Sequence, residues 1–251
     1  MQITFLGTGS ALPTASRMQT GLLVTVDGRS LLVDCGSGIL HRLANTEVGY
    51  EGVSSILLTH HHLDHVSDLL ALLKARWLAG EAHLEIIGPM GTKQLVDDLL
   101  SVHDYLEGRV DLRIREVAAD QSFEAVGFGV ESHETRHSMD GLAYRFAEAA
   151  DEPPLFTFSG DTEAFAGLGR FASDCRVLAH DCSFPDSVDV SGHPTPTQLG
   201  NALADCAAER LYLTHLYPHT EDSHDEMRAA VSAGGFDGEI RIARDGLRIK
   251  L

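Results

Sequence analysis

Positive charge is what this sequence has least of. Lys and Arg number 19 against 37 Asp and Glu, a formal net charge of −18. Such a chain repels polyanions at long range and lacks the basic face on which extended nucleic-acid binding normally rests. Cysteine is scarce too. Cys35, Cys175, Cys182 and Cys206 show no C-x-x-C spacing, which excludes that redox or zinc motif and leaves buried free thiols and a cytoplasmic location as the reading. No apolar run approaches the length of a membrane span, so no membrane association is expected. The start, MQITFLGTGS, lacks the charged beginning and long apolar core of a signal peptide. No linker, low-complexity stretch or repeat divides the 251 residues, so one compact domain over 1–251 is expected.

What is present alternates between strand and helix signals. ITFLGTG reads as a strand, and GLLVTVDGRSLLVDCG as a hairpin turning at Asp27-Gly28. SSILLTH is a buried strand, followed by helical spacing from Val66 to Ala79. HLEIIGP, VDLRIREV, FGVESHET and GLAYRFAE follow as strands, with a helix over GTKQLVDDLLSVHDYL. The last third predicts helices over Thr162–Phe171, Thr195–Ala208 and Asp222–Ser232, with strands LFTFSGD, CRVLAHD, RLYLTHL, EIRIA and LRIKL around them. Two β-rich halves, each followed by helices, point to an α/β (α+β) fold: a four-layer αββα sandwich.

The densest chemistry is LLTHHHLDHVSDLL, with four histidines and two aspartates between apolar flanks. Side chains two apart on an extended segment point the same way, so His60 and His62 converge while His61 faces elsewhere, as packing or outer support. Asp64 and His65 follow at a helix start and reach a neighbouring position. Imidazole and carboxylate suit Zn²⁺, and also Mn²⁺ or Fe. Three later strand ends supply further candidates: His137 in ETRHSMDG, Asp161 in FTFSGDT and His215 in LYLTHLYP. Asp161 alone could equally be a helix N-cap. His133 is a lesser rival to His137. His219 and His224 read as solvated, Cys182 as a small core residue. Gly7, Gly9 and Ser10 either line a pocket or form a simple tight turn.

With these residues in view, the sequence resembles the metallo-β-lactamase-fold superfamily, and within it the ribonuclease Z and small phosphodiesterase branch. The H-x-H-x-D-H motif stands as His60, His62, Asp64 and His65; FLGTGSALPT, LLVDCGSG, IIGP, SGDT, VLAHDCSF and GHPTPTQLGNALADCAAERLYLTHL look like the branch. The resemblance implies two divalent metal ions, one held by His60, His62 and His137, the other by Asp64, His65 and His215, with Asp161 bridging. It implies hydrolysis through a metal-bridging hydroxide, Asp64 orienting it and His193 donating the proton to the leaving group. His180 falls on a position of structural character, and a homodimer is expected on the resemblance alone.

The substrate is expected to be a small or cyclic phosphodiester. Between His137 and Asp161 the sequence has room for a strand, a turn and a strand, not for the long arm with which bacterial ribonuclease Z grips tRNA. That interval holds one Arg and no Lys. A ribonuclease Z-like RNA endonuclease processing tRNA 3′ ends is the alternative. A hydrolase of carbon esters, thioesters or lactones on the same metals is a third. The cysteine-rich zinc site that some small-diester relatives carry near the N-terminus has no counterpart beyond Cys35.

Overall fold

The computed structural model describes residues 1–251. Its first sheet has seven strands in the order β14-β1-β2-β3-β4-β5-β6: β1 (Gln2–Gly7), β2 (Gly21–Val26), β3 (Arg29–Val33), β4 (Ser55–Leu57), β5 (His83–Gly88), β6 (Asp111–Glu116) and the returning β14 (Arg248–Lys250). The second is also seven-stranded, β13-β12-β11-β10-β9-β8-β7: β7 (Ser122–Ala125), β8 (Phe128–Glu134), β9 (Leu142–Ala147), β10 (Phe156–Phe158), β11 (Val177–Asp181), β12 (Arg210–Thr214) and β13 (Glu239–Ile242). The first sheet is antiparallel from β14 to β3 and parallel from β3 to β6; the second is antiparallel from β7 to β10 and parallel from β10 to β13.

Helices cover the two outer faces. α1 (Ile39–Leu43), α2 (Leu63–Val66), α3 (Leu69–Leu78) and α4 (Thr92–Val102) pack on the first sheet, with Leu32, Ile56, Ile86, Leu72 and Val96 among the buried contacts. α5 (Ala166–Ala172), α6 (Pro196–Ala202) and α7 (His224–Gly234) pack on the second through Leu178, Leu211, Leu213, Leu199 and Val231. Between the sheets lies a third apolar layer with Phe5, Leu57, Tyr144, Phe146, Phe156 and Tyr212. These three layers make the αββα sandwich expected from the strand and helix order. No helix is long and apolar enough to cross a membrane.

Local chemistry explains the elements that place the site. Asp27 and Gly28 both take positive φ, 48° and 80°, closing the β2–β3 hairpin with the two-residue turn that dipeptide favours. The helix expected over Val66–Ala79 is broken at Ser67–Asp68. There Asp68 N–H donates to Cys35 O and its carboxylate accepts from Leu40 N, tying the histidine loop to the β3 end. The helix expected over Thr162–Phe171 forms only from Ala166. Residues 162 and 163 are pinned first: Thr162 N–H to Asp181 Oδ2, Arg136 N–H to Thr162 Oγ1 and Glu163 N–H to Arg136 O. Asp161 is therefore no N-cap; Phe165 occupies that position. α6 ends at Ala202, short of the expected Ala208, because the chain turns so that Ala207 N–H reaches Ser173 Oγ before β12 begins. Its start is firmly set: Thr195 and Gln198 form a reciprocal capping box, with Pro196 at the first helical position.

Candidate metal centre

The histidine loop leaves β4 extended and coils only at α2, so His60 and His62 lie on the strand side and Asp64 and His65 in the single helical turn. Gly36 makes this possible. A β-carbon there would stand 2.0 Å from Asp64 O, so only glycine lets the β3 end approach the loop, where Cys35 N–H donates to His65 O at 2.7 Å. His61 points away, its Nε2–H donating to Thr92 Oγ1 at 2.8 Å and fastening the loop to α4.

Across the interface the second sheet presents His137 after β8, Asp161 after β10 and His215 after β12. The structure brings them to the loop in two groups, each with its ligand atoms within 4.8 Å of one another: His60, His62, His137 and Asp161, and Asp64, His65, His215 and Asp161. Asp161 belongs to both. Its Oδ2 stands 3.8 Å from His60 Nε2 and 3.2 Å from His215 Nε2, its Oδ1 3.3 Å from His65 Nε2. Asp64 Oδ2 lies 3.1 Å from His215 Nε2. His215 adopts φ 57° and Asp34 φ 58°, a left-handed backbone that costs free energy for non-glycine residues and clusters at functional sites.

The tautomers of four histidines follow from their outer partners. His60 Nδ1 donates to Thr59 Oγ1 at 3.0 Å, and that hydroxyl donates to Asp34 Oδ2 at 2.8 Å. His65 Nδ1 donates to Asp34 Oδ2 at 2.7 Å, His137 Nδ1 to Gly192 O at 2.9 Å. His215 Nδ1 donates to Ser183 Oγ at 2.9 Å, whose hydrogen goes to Asp181 Oδ1 at 2.6 Å. All four are left with an Nε2 lone pair aimed inward, the state a metal ligand requires. His62 Nδ1 sits 3.0 Å from both His60 Nε2 and His137 Nε2. One ring hydrogen cannot serve both contacts well, whereas a cation among the three nitrogens satisfies all of them.

Charge points the same way. Asp34, Asp64, Asp161 and Asp181 are all buried, yet every ion-pair partner they have is a histidine, with no Lys or Arg among them. Buried carboxylates in such number need positive charge beside them, from protonated histidines or from bound metal cations. Burial, and His65 nearby, push His60 well below its usual range; burial and His137 lower His62. Burial alone would raise Asp161 and lower His65, but His215 and His65 hold Asp161 well down, while Asp161 and Asp34 lift His65. The pull that favours a proton on His65 equally favours a metal ion in its place. The donor set of imidazole nitrogens and carboxylates therefore fits a pair of divalent cations.

His193 stands beside the groups, two residues ahead of the α6 capping box. Its Nδ1 donates to Asp181 Oδ2 at 2.6 Å, leaving Nε2 free. Burial alone would lower its pKa, but Asp181, with Asp161 and Asp64 behind it, raises it to about 9. Tyr217 lines the same cavity, its phenol pushed up to about 12 by burial and by Asp64, Asp161 and Asp181. The cavity holds about 330 Å³. A roomier groove of about 580 Å³ beside α4 and β6 has no histidine in its walls and lies apart from this chemistry.

Other residues fall outside the groups. His133 pairs with Asp120 at 2.9 Å and stacks on Phe171, and His180 is buried with Nδ1 donating to Asp181 O. Cys182 sits in the apolar layer under α6, and all four cysteines are buried and free. Gly7, Gly9 and Ser10 do not line the cavity; Ala11 does. Gly7 instead lets Gln19 O approach to where a β-carbon would stand, 1.7 Å away. Asp34, Asp181 and Ser183 were not singled out by sequence reasoning. For the two aspartates the signal is a carboxylate at the end of a mostly apolar strand, in LLVDC and VLAHDCS; Ser183 follows Asp181 by two residues and has no signal of its own.

The family model of the anti-Pycsar protein Apyc1 matches residues 1–233. A ribonuclease Z of Mycobacterium avium is 31% identical, over all of this chain and 98% of that protein. Among solved structures, the metallo-β-lactamase-fold protein YhfI of Bacillus subtilis is 26% identical with a TM-score of 0.83, covering 99% of this chain and 98% of its own. The short form of human tRNase Z shares the fold at a TM-score of 0.78, with 23% identity over 100% of this chain and 99% of that one.

Proposed function

Because the chain belongs to the anti-Pycsar protein Apyc1 family, within the ribonuclease Z and phosphodiesterase branch of the metallo-β-lactamase-fold superfamily, and is a metal-dependent hydrolase of phosphodiesters, we propose that its substrate is a small or cyclic phosphodiester. The observation that carries this reading is the approach to the centre. Between His137 and Asp161 the chain makes only β9, a turn and β10, and the centre opens into a cavity of about 330 Å³, at the small end of ligand pockets. The alignment to the Mycobacterium avium protein runs over 278 positions against 251 residues here, so that relative carries segments this chain lacks.

Zinc is the proposed metal, with His60, His62 and His137 holding one ion, Asp64, His65 and His215 the other, and Asp161 shared. Bound there, two divalent cations supply Lewis acidity, neutralising charge on the phosphoryl oxygens and lowering the pKa of water. The chain's own groups do the rest. Burial alone would raise the Asp64 carboxyl, but His215 and His65 hold it below its usual range, and its Oδ2 orients the attacking water and accepts its proton. His193, its Nδ1 hydrogen on Asp181, presents Nε2–H to the departing oxygen as general acid.

A second reading has the curated relatives on its side: those about 30% identical over the whole chain carry the name ribonuclease Z, which weights the comparisons toward an RNA endonuclease more than toward a small-diester enzyme. One assay separates the two. The metal-loaded protein is offered a panel of small cyclic and linear diesters and, in parallel, a transfer RNA with a 3′ extension. A higher kcat/KM on a small diester supports the proposal. Cleavage of the RNA at the higher kcat/KM replaces it with the ribonuclease reading.

A further inference from the structure

The cavity at the metal centre is chemically two-sided. One side carries the histidines and carboxylates already described. The rest of the lining is mostly apolar, Ala11, Leu63, Phe184, Val190 and Tyr217, with the hydroxyls of Ser138 and Ser191. No Lys or Arg lines the cavity. Leu63 is 75% exposed and Val190 40%, two of only seven large apolar side chains that stand so exposed in the protein. A phosphoryl group therefore finds cationic partners only at the centre, and what is attached to it meets a mostly apolar lining.

Tyr217 is the rigid part of that lining. Pro218 holds its backbone extended, at φ −77° and ψ 158°. Its N–H donates to Ser183 O at 3.1 Å. Its ring stacks on Phe184 with centroids 4.4 Å apart and 23° between planes, and Phe184 is itself 93% shielded. The same ring stands edge-on to His193, 6.2 Å between centroids, and edge-on to His215, 6.0 Å. It thus flanks the side of the cavity where His193 meets the leaving group. No side-chain hydrogen bond within the protein occupies its hydroxyl, and nothing in the water-activating or proton-donating steps calls on it.

We propose that Tyr217, backed by Phe184, is a specificity-determining residue whose ring forms the wall against which the departing ester group lies, selecting flat, uncharged ring systems there. The inference rests on the phosphodiesterase reading and adds the chemistry of the leaving group to it. A pre-positioned aromatic pair loses little conformational freedom when a third ring joins it, and such a contact is worth about tenfold in affinity.

The test uses the metal-loaded protein and two diesters, ethyl phenyl phosphate and ethyl hexafluoroisopropyl phosphate. Their leaving groups are of comparable acidity; one is flat and the other is not. Wild type is expected to prefer the phenyl ester by about tenfold in kcat/KM, Tyr217→Phe to keep that preference and Tyr217→Leu to lose it. Calorimetry with phenylphosphonate and isopropylphosphonate reads the same wall without turnover, with the same ranking expected in the three proteins. Wild type without a phenyl preference, or Tyr217→Leu with it intact, overturns the proposal. Turnover of neither diester, with the phosphonate ranking as expected, counts against the phosphodiesterase reading and leaves the role of Tyr217 supported.

Discussion

The two halves of the molecule share a topology and reach the centre differently. In both, a sheet passes from antiparallel to parallel pairing, at β3 and at β10, and a carboxylate follows that switch: Asp34 directly after β3, Asp161 shortly after β10. The first half then gives four candidate ligands from one short loop, His60 to His65. The second gives the ligands His137, Asp161 and His215, and the proton donor His193, one at a time, from four separate connections. A loop that carries its own spacing folds its ligands into place through local geometry. Dispersed ligands depend on the registers β10–β11 and β11–β12, which set Asp161, Asp181 and His215 side by side. The second half is thus the more exposed to changes far from the chemistry.

The largest effect expected from breaking this division is at Asp161. Asp161→Ala removes the one side chain common to both groups, so turnover should fall by more than the about 100-fold that loss of an outer partner costs, and bound metal should fall with it. Retention of both metals would mean that the other six side chains hold the centre without the shared carboxylate. Next comes His193→Ala, expected to lower turnover of a diester with a poor leaving group by about 10²–10⁴-fold while metal content stays at the wild-type level. Full activity on that substrate would contradict the proton-donor assignment.

Asp34 and Asp181 sharpen the comparison, since one supports each half. Asp34→Asn loosens His65 and, through Thr59, His60, so metal affinity should drop about 10–100-fold. Asp181→Asn should fall on turnover more than on metal, because His193 loses the carboxylate charge beside its Nδ1–H while metal is touched only through Ser183 and His215. Equal losses of metal in the two variants would erase the distinction. The smallest effect is at the seam between the halves. Tyr144, in β9, donates its hydroxyl to Leu58 O just ahead of the histidine loop, at 2.9 Å. Tyr144→Phe should cost about 1–3 kcal/mol in chemical denaturation, because Leu58 O is left buried without that donor.

The H-x-H-x-D-H loop was legible because its residues are neighbours, and alternation along an extended segment already separates His61 from His60 and His62. The layer order was legible from strands of apolar run and helices of apolar period. Element ends were less so. α5 starts late because Thr162 and Glu163 bond to residues distant in sequence before the chain can coil, a competition no local pattern records. Asp34, Asp181 and Ser183 escaped for a related reason: each acts through a histidine that belongs to another segment. For the two aspartates, a position at the end of a mostly apolar strand is the trace left in the sequence.

Metal stoichiometry of the purified chain is the most direct measure of the account, read by elemental analysis beside turnover of bis-p-nitrophenyl phosphate. Two divalent ions per chain with clear diesterase activity is the expected result. A chain that holds no metal after careful handling, with its fold intact, would contradict the central claim that these seven side chains converge on a two-metal centre.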